Sequence, residues 1–170
     1  MEQNINLLIS GKNNRLSLSE FLAAVGIKAQ KKGGPMAFPG ALDILDKDDD
    51  GGLLLATTHH GQHLLLDDRS ELLDSILEKG VLAFTRTQQT DALTVTLGDE
   101  SGISWYNYYR DGKMQRSVTF EDTEPDEIGN PIPYEKNGVE PHSVLAAFCD
   151  SWKNLQKLEW EMYLRRNIEG

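Results

Sequence analysis

The sequence predicts an α+β fold, a single domain over residues 1–170, and three observations carry that expectation. Apolar residues recur at helical spacing near both ends of the chain, they alternate with polar ones in the middle, and turn signals separate the alternating runs. The expected architecture is an antiparallel meander over about residues 81–120 plus a short hairpin, packed against a long C-terminal helix and two shorter helices. A chain of 170 residues can bury roughly two thirds of its unfolded surface. Its 39% hydrophobic and 26% charged residues are globular values, and no apolar run approaches the roughly 20 residues that would span a bilayer.

The first helix is read from LSLSEFLAAVGIKAQ, where Ser17 or Ser19 caps a stripe of Phe21, Leu22 and Val25 that extends toward Ala29. KKGGPMAFPG then reads as a loop, because three glycines and two prolines interrupt any regular element. LLLATTHHGQHLLLDD reads as a hairpin with Gly61-Gln62 at the centre of a type II′ turn. The second helix takes Asp67 or Asp68 as its cap, places Leu72, Leu73, Ile76 and Leu77 on one stripe and ends at Gly80.

From Val81 to Phe120 the alternation and the turns QQTDA, GDESG and RDGK predict four strands. A two-residue turn at Asp111-Gly112 would pair Trp105 with Val118 and Ile103 with Phe120, leaving Tyr106 and Tyr108 on the opposite face. Residues 121–141, with four prolines and two glycines, read as a long surface connection. Leu145, Phe148, Trp152, Leu155, Leu158 and Met162 then recur at helical spacing over about six turns. This expected long helix would bury Trp152 against Trp105 of the sheet. Trp160, Tyr163 and Leu164 would form its flank, a wider buried face or the contact of a homodimer.

The net charge of −10 disfavours a nucleic-acid binder, which needs a basic patch, and suits a basic protein partner. Residues 33–127 hold nineteen acidic and seven basic side chains, concentrated in DILDKDDD, DDRSELLDSILE and EDTEPDE. The N-terminus has neither a basic start before a long apolar stretch nor a small-residue cleavage site, and the single Cys149 can form no internal disulfide. A cytoplasmic setting is expected, with no membrane contact.

Two patterns suggest a metal. Asp46, Asp48, Asp50 and Gly51 occupy the first, third, fifth and sixth positions of an EF-hand loop, but Leu54 and Thr57 stand where the later ligands belong. In HHGQH, running from His59 to His63, a two-residue turn would set His60 opposite His63, two ligands where zinc normally takes three or four from protein and water. No nucleophile elbow or phosphate loop is present, and seven residues separate Cys149 from His142. Binding is therefore favoured over catalysis, and no cofactor is expected.

The resulting expectation is an inhibitor or immunity-type protein that neutralises a basic partner such as a toxin or nuclease. Its expected contacts are Asp48, Asp49, Asp50, Glu121, Asp122, Glu124, Asp126 and Glu127 for charge, with Tyr106, Tyr108 and Tyr134 as anchors. A calcium- or zinc-binding regulatory domain is the alternative, and an enzyme without a recognisable motif is third.

Overall fold

A computed structural model describes residues 4–12, 15–46, 52–67, 75–98, 103–121 and 124–165. The strands are β1 (Asn4–Ser10), β2 (Ala29–Ala37), β3 (Leu53–His59), β4 (Gln62–Asp67), β5 (Asp91–Gly98), β6 (Ile103–Arg110), β7 (Lys113–Glu121), β8 (Glu124–Gly129) and β9 (Glu159–Arg165). The helices are α1 (Leu18–Ala24), α2 (Phe38–Asp46), α3 (Ser75–Gln88), α4 (Pro141–Phe148) and the single turn α5 (Trp152–Leu155), with a 3-10 turn at Pro133–Glu135. Among the described residues nine strands join one sheet in the order β2-β9-β3-β4-β1-β5-β6-β7-β8, and each pairing is antiparallel.

The central strands are covered on both faces, which explains their leucine runs. Leu64 and Leu66 enter one core with Leu7, Ile9, Leu93 and the buried residues of α2, α4 and α5. Leu65, between them, enters the other with Leu8, Phe21 of α1 and Phe84 of α3. A strand buried on both sides reads as a continuous apolar run because neither face needs polar residues.

Some elements form where the sequence places them. Ser17 caps α1 in a reciprocal box with Glu20, whose carboxylate accepts from the Ser17 N–H at 2.9 Å. The β3–β4 hairpin is present, but its turn residues are His60 and Gly61, at φ 50° and 80°. Two successive positive φ angles make it type I′, not the expected II′.

The long C-terminal helix does not exist. It breaks at Cys149, whose φ of −135° leaves the helical region, and the chain restarts at Ser151 and then runs as β9 between β2 and β3. Leu155, Leu158 and Met162 fit a helical period, yet EWEM alternates, and the strand period prevails because β9 pairs on both sides. Trp160 is consequently sealed in the core, with its indole N–H donating to the Leu155 carbonyl at 3.2 Å. Trp152 is half-buried, edge-on to Phe38 at 5.3 Å, and Trp105 is half-buried on the opposite face of the sheet from Trp160. Neither is the central core tryptophan that the sequence suggested.

The meander is also displaced. Residues 81–88 belong to α3, which continues through Gly80 because Val25 packs there: a Cβ at residue 80 would sit 2.0 Å from the Val25 carbonyl oxygen. Asp67 is no helix cap but a buried β4 residue accepting from the Asn6 amide at 2.9 Å, while Asp68, Leu72 and Leu73 lie outside the described residues. The four meander strands are β5 to β8, so the supposed surface connection supplies the last of them. The supposed glycine–proline loop is the edge strand β2, whose register against β9 shifts twice, on either side of Gly33.

Candidate partner-binding surface

One irregularity decides which face of the meander is open. The Asp111-Gly112 turn pairs Arg110 with Lys113 and Tyr109 with Met114, but Tyr108 then pairs with Arg116, leaving Gln115 as an extra residue. This bulge moves every later pair by one, so Tyr106, not Trp105, stands opposite Val118. Tyr106 and Tyr108 enter the core, and Trp105 turns to the other face. The two tyrosines expected as partner anchors are therefore structural.

On that other face, pairing across β6, β7 and β8 sets three rows. Ile103, Glu121 and Glu124 form the first, Trp105, Thr119 and Asp126 the second, and Asn107, Ser117 and Ile128 the third. Strand spacing and rise make this patch roughly 10 Å by 14 Å. The β6 residues, Ser117 and Thr119 are half-buried, Glu121, Glu124 and Asp126 are exposed, and Ile128 is 63% exposed. β8 is the last strand of the sheet, so among the described residues its outer backbone has no strand partner.

The patch is fixed from behind by Arg116. Its guanidinium donates to both carboxylate oxygens of Glu135 at 2.8 and 3.0 Å, to the Gly129 carbonyl at 2.9 Å and to Glu127. The Tyr106 hydroxyl donates to Glu135 at 2.8 Å. Burial works against the Arg116 charge, but Glu135 and Glu127 outweigh it and hold its pKa above the ordinary value. Burial first, then Glu135, pushes the Tyr106 hydroxyl well up. One buried cation thus ties β7, β8 and the 3-10 turn together.

Of the expected contacts, Glu121, Glu124 and Asp126 share the open face, while Glu127 points to the opposite one and pairs with Arg116. Tyr134 is half-buried against Phe148 and donates to Asp91 at 3.3 Å beside the Tyr108 hydroxyl at 2.7 Å, at the wall of a polar cleft of about 280 Å³. Asp48, Asp49, Asp50 and Asp122 lie outside the described residues, and so does Gly51. Asp46 closes α2, and its side chain is likewise outside them. Trp160 and Tyr163 are buried in β9 and Leu164 is half-buried there, so they form no exposed helix flank for a homodimer.

The structure separates His60 from His63. The register pairs Thr58 with His63 and His59 with Gln62, one residue away from the expected match. His63 is buried, its Nε2–H donating to the Leu16 carbonyl at 2.6 Å and its Nδ1 accepting from Thr58 at 2.8 Å, and burial lowers its pKa. It has no nitrogen left for a metal. His60 is exposed and stacks on His59 at 3.8 Å, and His59 reaches Asp150. Burial, then Asp150, pushes the Cys149 thiol up to about 12, which opposes a thiolate nucleophile.

Sequence reasoning missed Trp105 and Ile128 as surface residues. Residues 124–129 read EPDEIG, with no apolar alternation and a proline, so the sequence carries no local strand signal for β8. No family model matches the chain, and no curated protein or solved structure matches it. No helix among the described residues is long and apolar enough to cross a membrane.

Proposed function

We propose that this chain is a protein-binding domain that docks a basic partner on the open face of β6–β8, as an inhibitor or immunity-type protein would neutralise a toxin or nuclease. The observation that carries the reading is the coincidence of Trp105 and the exposed Ile128 with Glu121, Glu124 and Asp126 on one flat patch. An aromatic and an exposed aliphatic side chain with carboxylates on the same face supply both contact area and charge for an interface. The carboxylates steer a cationic surface, and the Arg116 network keeps the patch from yielding on contact, which limits the ordering cost of association. A cytoplasmic setting belongs to this reading and suits the unpaired Cys149.

The test is a pull-down from native cells at low salt with wild-type bait beside Glu124→Lys/Asp126→Lys bait, followed by kinetics on any protein retained. The expected partner is basic, is lost from the charge-reversed bait, and associates more slowly as salt rises. Trp105→Ala should instead speed its dissociation. Retention that ignores charge reversal, or no protein distinguishing the two baits, would refute the proposal.

A further inference from the structure

At the tip of the β3–β4 hairpin, far along the sheet from the acidic face, three metal-ligating side chains from two distant parts of the chain converge. His59 ends β3, His60 opens the turn, and Asp150 lies between α4 and α5. One ligand atom from each lies within 4.8 Å of the others. We infer that His59, His60 and Asp150 form a binding site for a divalent transition metal of the zinc class.

The geometry is close to what such an ion requires. At metal–ligand distances of roughly 2.0–2.2 Å, neighbouring ligand atoms on a four- to six-coordinate ion stand roughly 3.0–3.5 Å apart. His59 Nε2 and Asp150 Oδ2 are already 3.0 Å apart. His60 is exposed, and turning its ring off the stack on His59 would bring its nitrogen to the same point. Asp150 is held as a ligand should be: its other oxygen accepts from the Ser151 N–H at 2.7 Å and from the Asn154 amide at 2.9 Å, leaving Oδ2 toward the histidines. Two imidazoles with one carboxylate favour zinc, cobalt or nickel over calcium or magnesium, and three protein ligands leave a position for water.

Binding would replace the His59–Asp150 hydrogen bond. The ion would take the place of the hydrogen between Nε2 and Oδ2: in a neutral imidazole that hydrogen moves to Nδ1 by exchange with water, and in an imidazolium it leaves to water, so that the ring binds neutral either way. The metal would then clamp the hairpin tip to the α4–α5 connection, and its binding energy would add to the stability of the folded chain.

The test uses the untagged protein, titrated with cobalt(II) chloride and followed by visible d–d absorption, with zinc chloride displacing the cobalt and zinc affinity measured by calorimetry. The expected result is one site per chain, weakened at least about tenfold by Asp150→Asn and by His60→Ala. His142→Ala, at an exposed position of α4, should leave it unchanged. His60 is exposed but sits at a positive φ that alanine adopts less readily, so circular dichroism checks that its variant keeps the fold. Absence of cobalt absorption and of zinc heat at submillimolar metal would show a hydrogen-bonded pair only and overturn the site. Equal affinity in the His60→Ala protein would overturn it too. Neither outcome touches the acidic face.

Discussion

The two edges of the sheet solve the same problem differently. β2 and β8 both end the hydrogen-bonded ladder, and both carry a proline, at Pro35 and Pro125. β2 is basic, with Lys31 and Lys32, and its register against β9 is broken twice. β8 is acidic and pairs with β7 without a shift from Gly129 to Glu124. An irregular backbone and a charged one each discourage another strand from adding. A partner of opposite charge can turn the second device into attraction, whereas nothing repairs a broken register. That difference favours β8 and its adjoining face as the place where this molecule meets another.

The two sides of the sheet differ most at their tryptophans. Trp160, fully buried on the β2 side, should cost about 3–5 kcal/mol when truncated to Ala, through lost burial and an unfilled cavity. Trp105, half-buried on the open face, should cost about 1 kcal/mol or less in the same urea titration. Equal losses would mean that the β6–β8 face is covered after all. Arg116→Ala comes next, at about 3 kcal/mol, because Glu135 would keep its charge in a buried site without its partner. Hydrogen exchange should show β8 amides opening first in that variant, since Arg116 also holds the Gly129 carbonyl.

These same residues show what was legible in the sequence. Ser17 and Glu20 announce α1 because a capping box is local chemistry. The leucine runs announce β3 and β4, since their signal is the sheet's own two-sided burial. The helix–strand choice for residues 159–165 was not local: EWEMYLR suits either period, and pairing with β2 and β3, more than a hundred residues earlier, decides it. The face of Trp105 was hidden by a single bulge at Gln115, which no composition signal marks. The His59–Asp150 contact joins residues 91 positions apart. The acidic patch was legible as charge but not as a surface, because β8 carries no local strand signal.

A smaller effect depends on pH. Burial, then Glu78, pushes the Tyr109 hydroxyl up to about 12, and burial first, then Glu135 and Asp91 respectively, raises Tyr106 and Tyr108. An acid whose folded value is raised stays protonated in the fold while the unfolded chain ionises near its ordinary value of 10. Its contribution is complete below about pH 10 and is lost as the pH climbs toward 12. The β6 strand should therefore lose protection first in alkali, and Tyr109→Phe should flatten the fall in urea midpoint between those values. An unchanged slope would show that Tyr109 ionises freely in the folded protein.

The smallest effect sharpens the reading of the β2 edge. Lys31 donates to Glu161 at 3.0 Å, but its side chain is 49% exposed and that of Glu161 25%. Water screens such a pair, and ordering a long lysine side chain offsets part of the remaining attraction. Lys31→Ala should therefore cost no more than about 0.5 kcal/mol. The loss should vanish near 1 M salt, where the screening length falls to about 3 Å. Glu124→Lys should likewise leave stability within about 0.5 kcal/mol, since an exposed carboxylate contributes little to the fold. The two edges would then be alike in stability and differ only in what they bind. A loss above about 1 kcal/mol for Lys31→Ala would contradict this, making the charge on β2 a structural fastener for its bulged pairing with β9 and leaving β8 as the only edge whose charge is free for a partner.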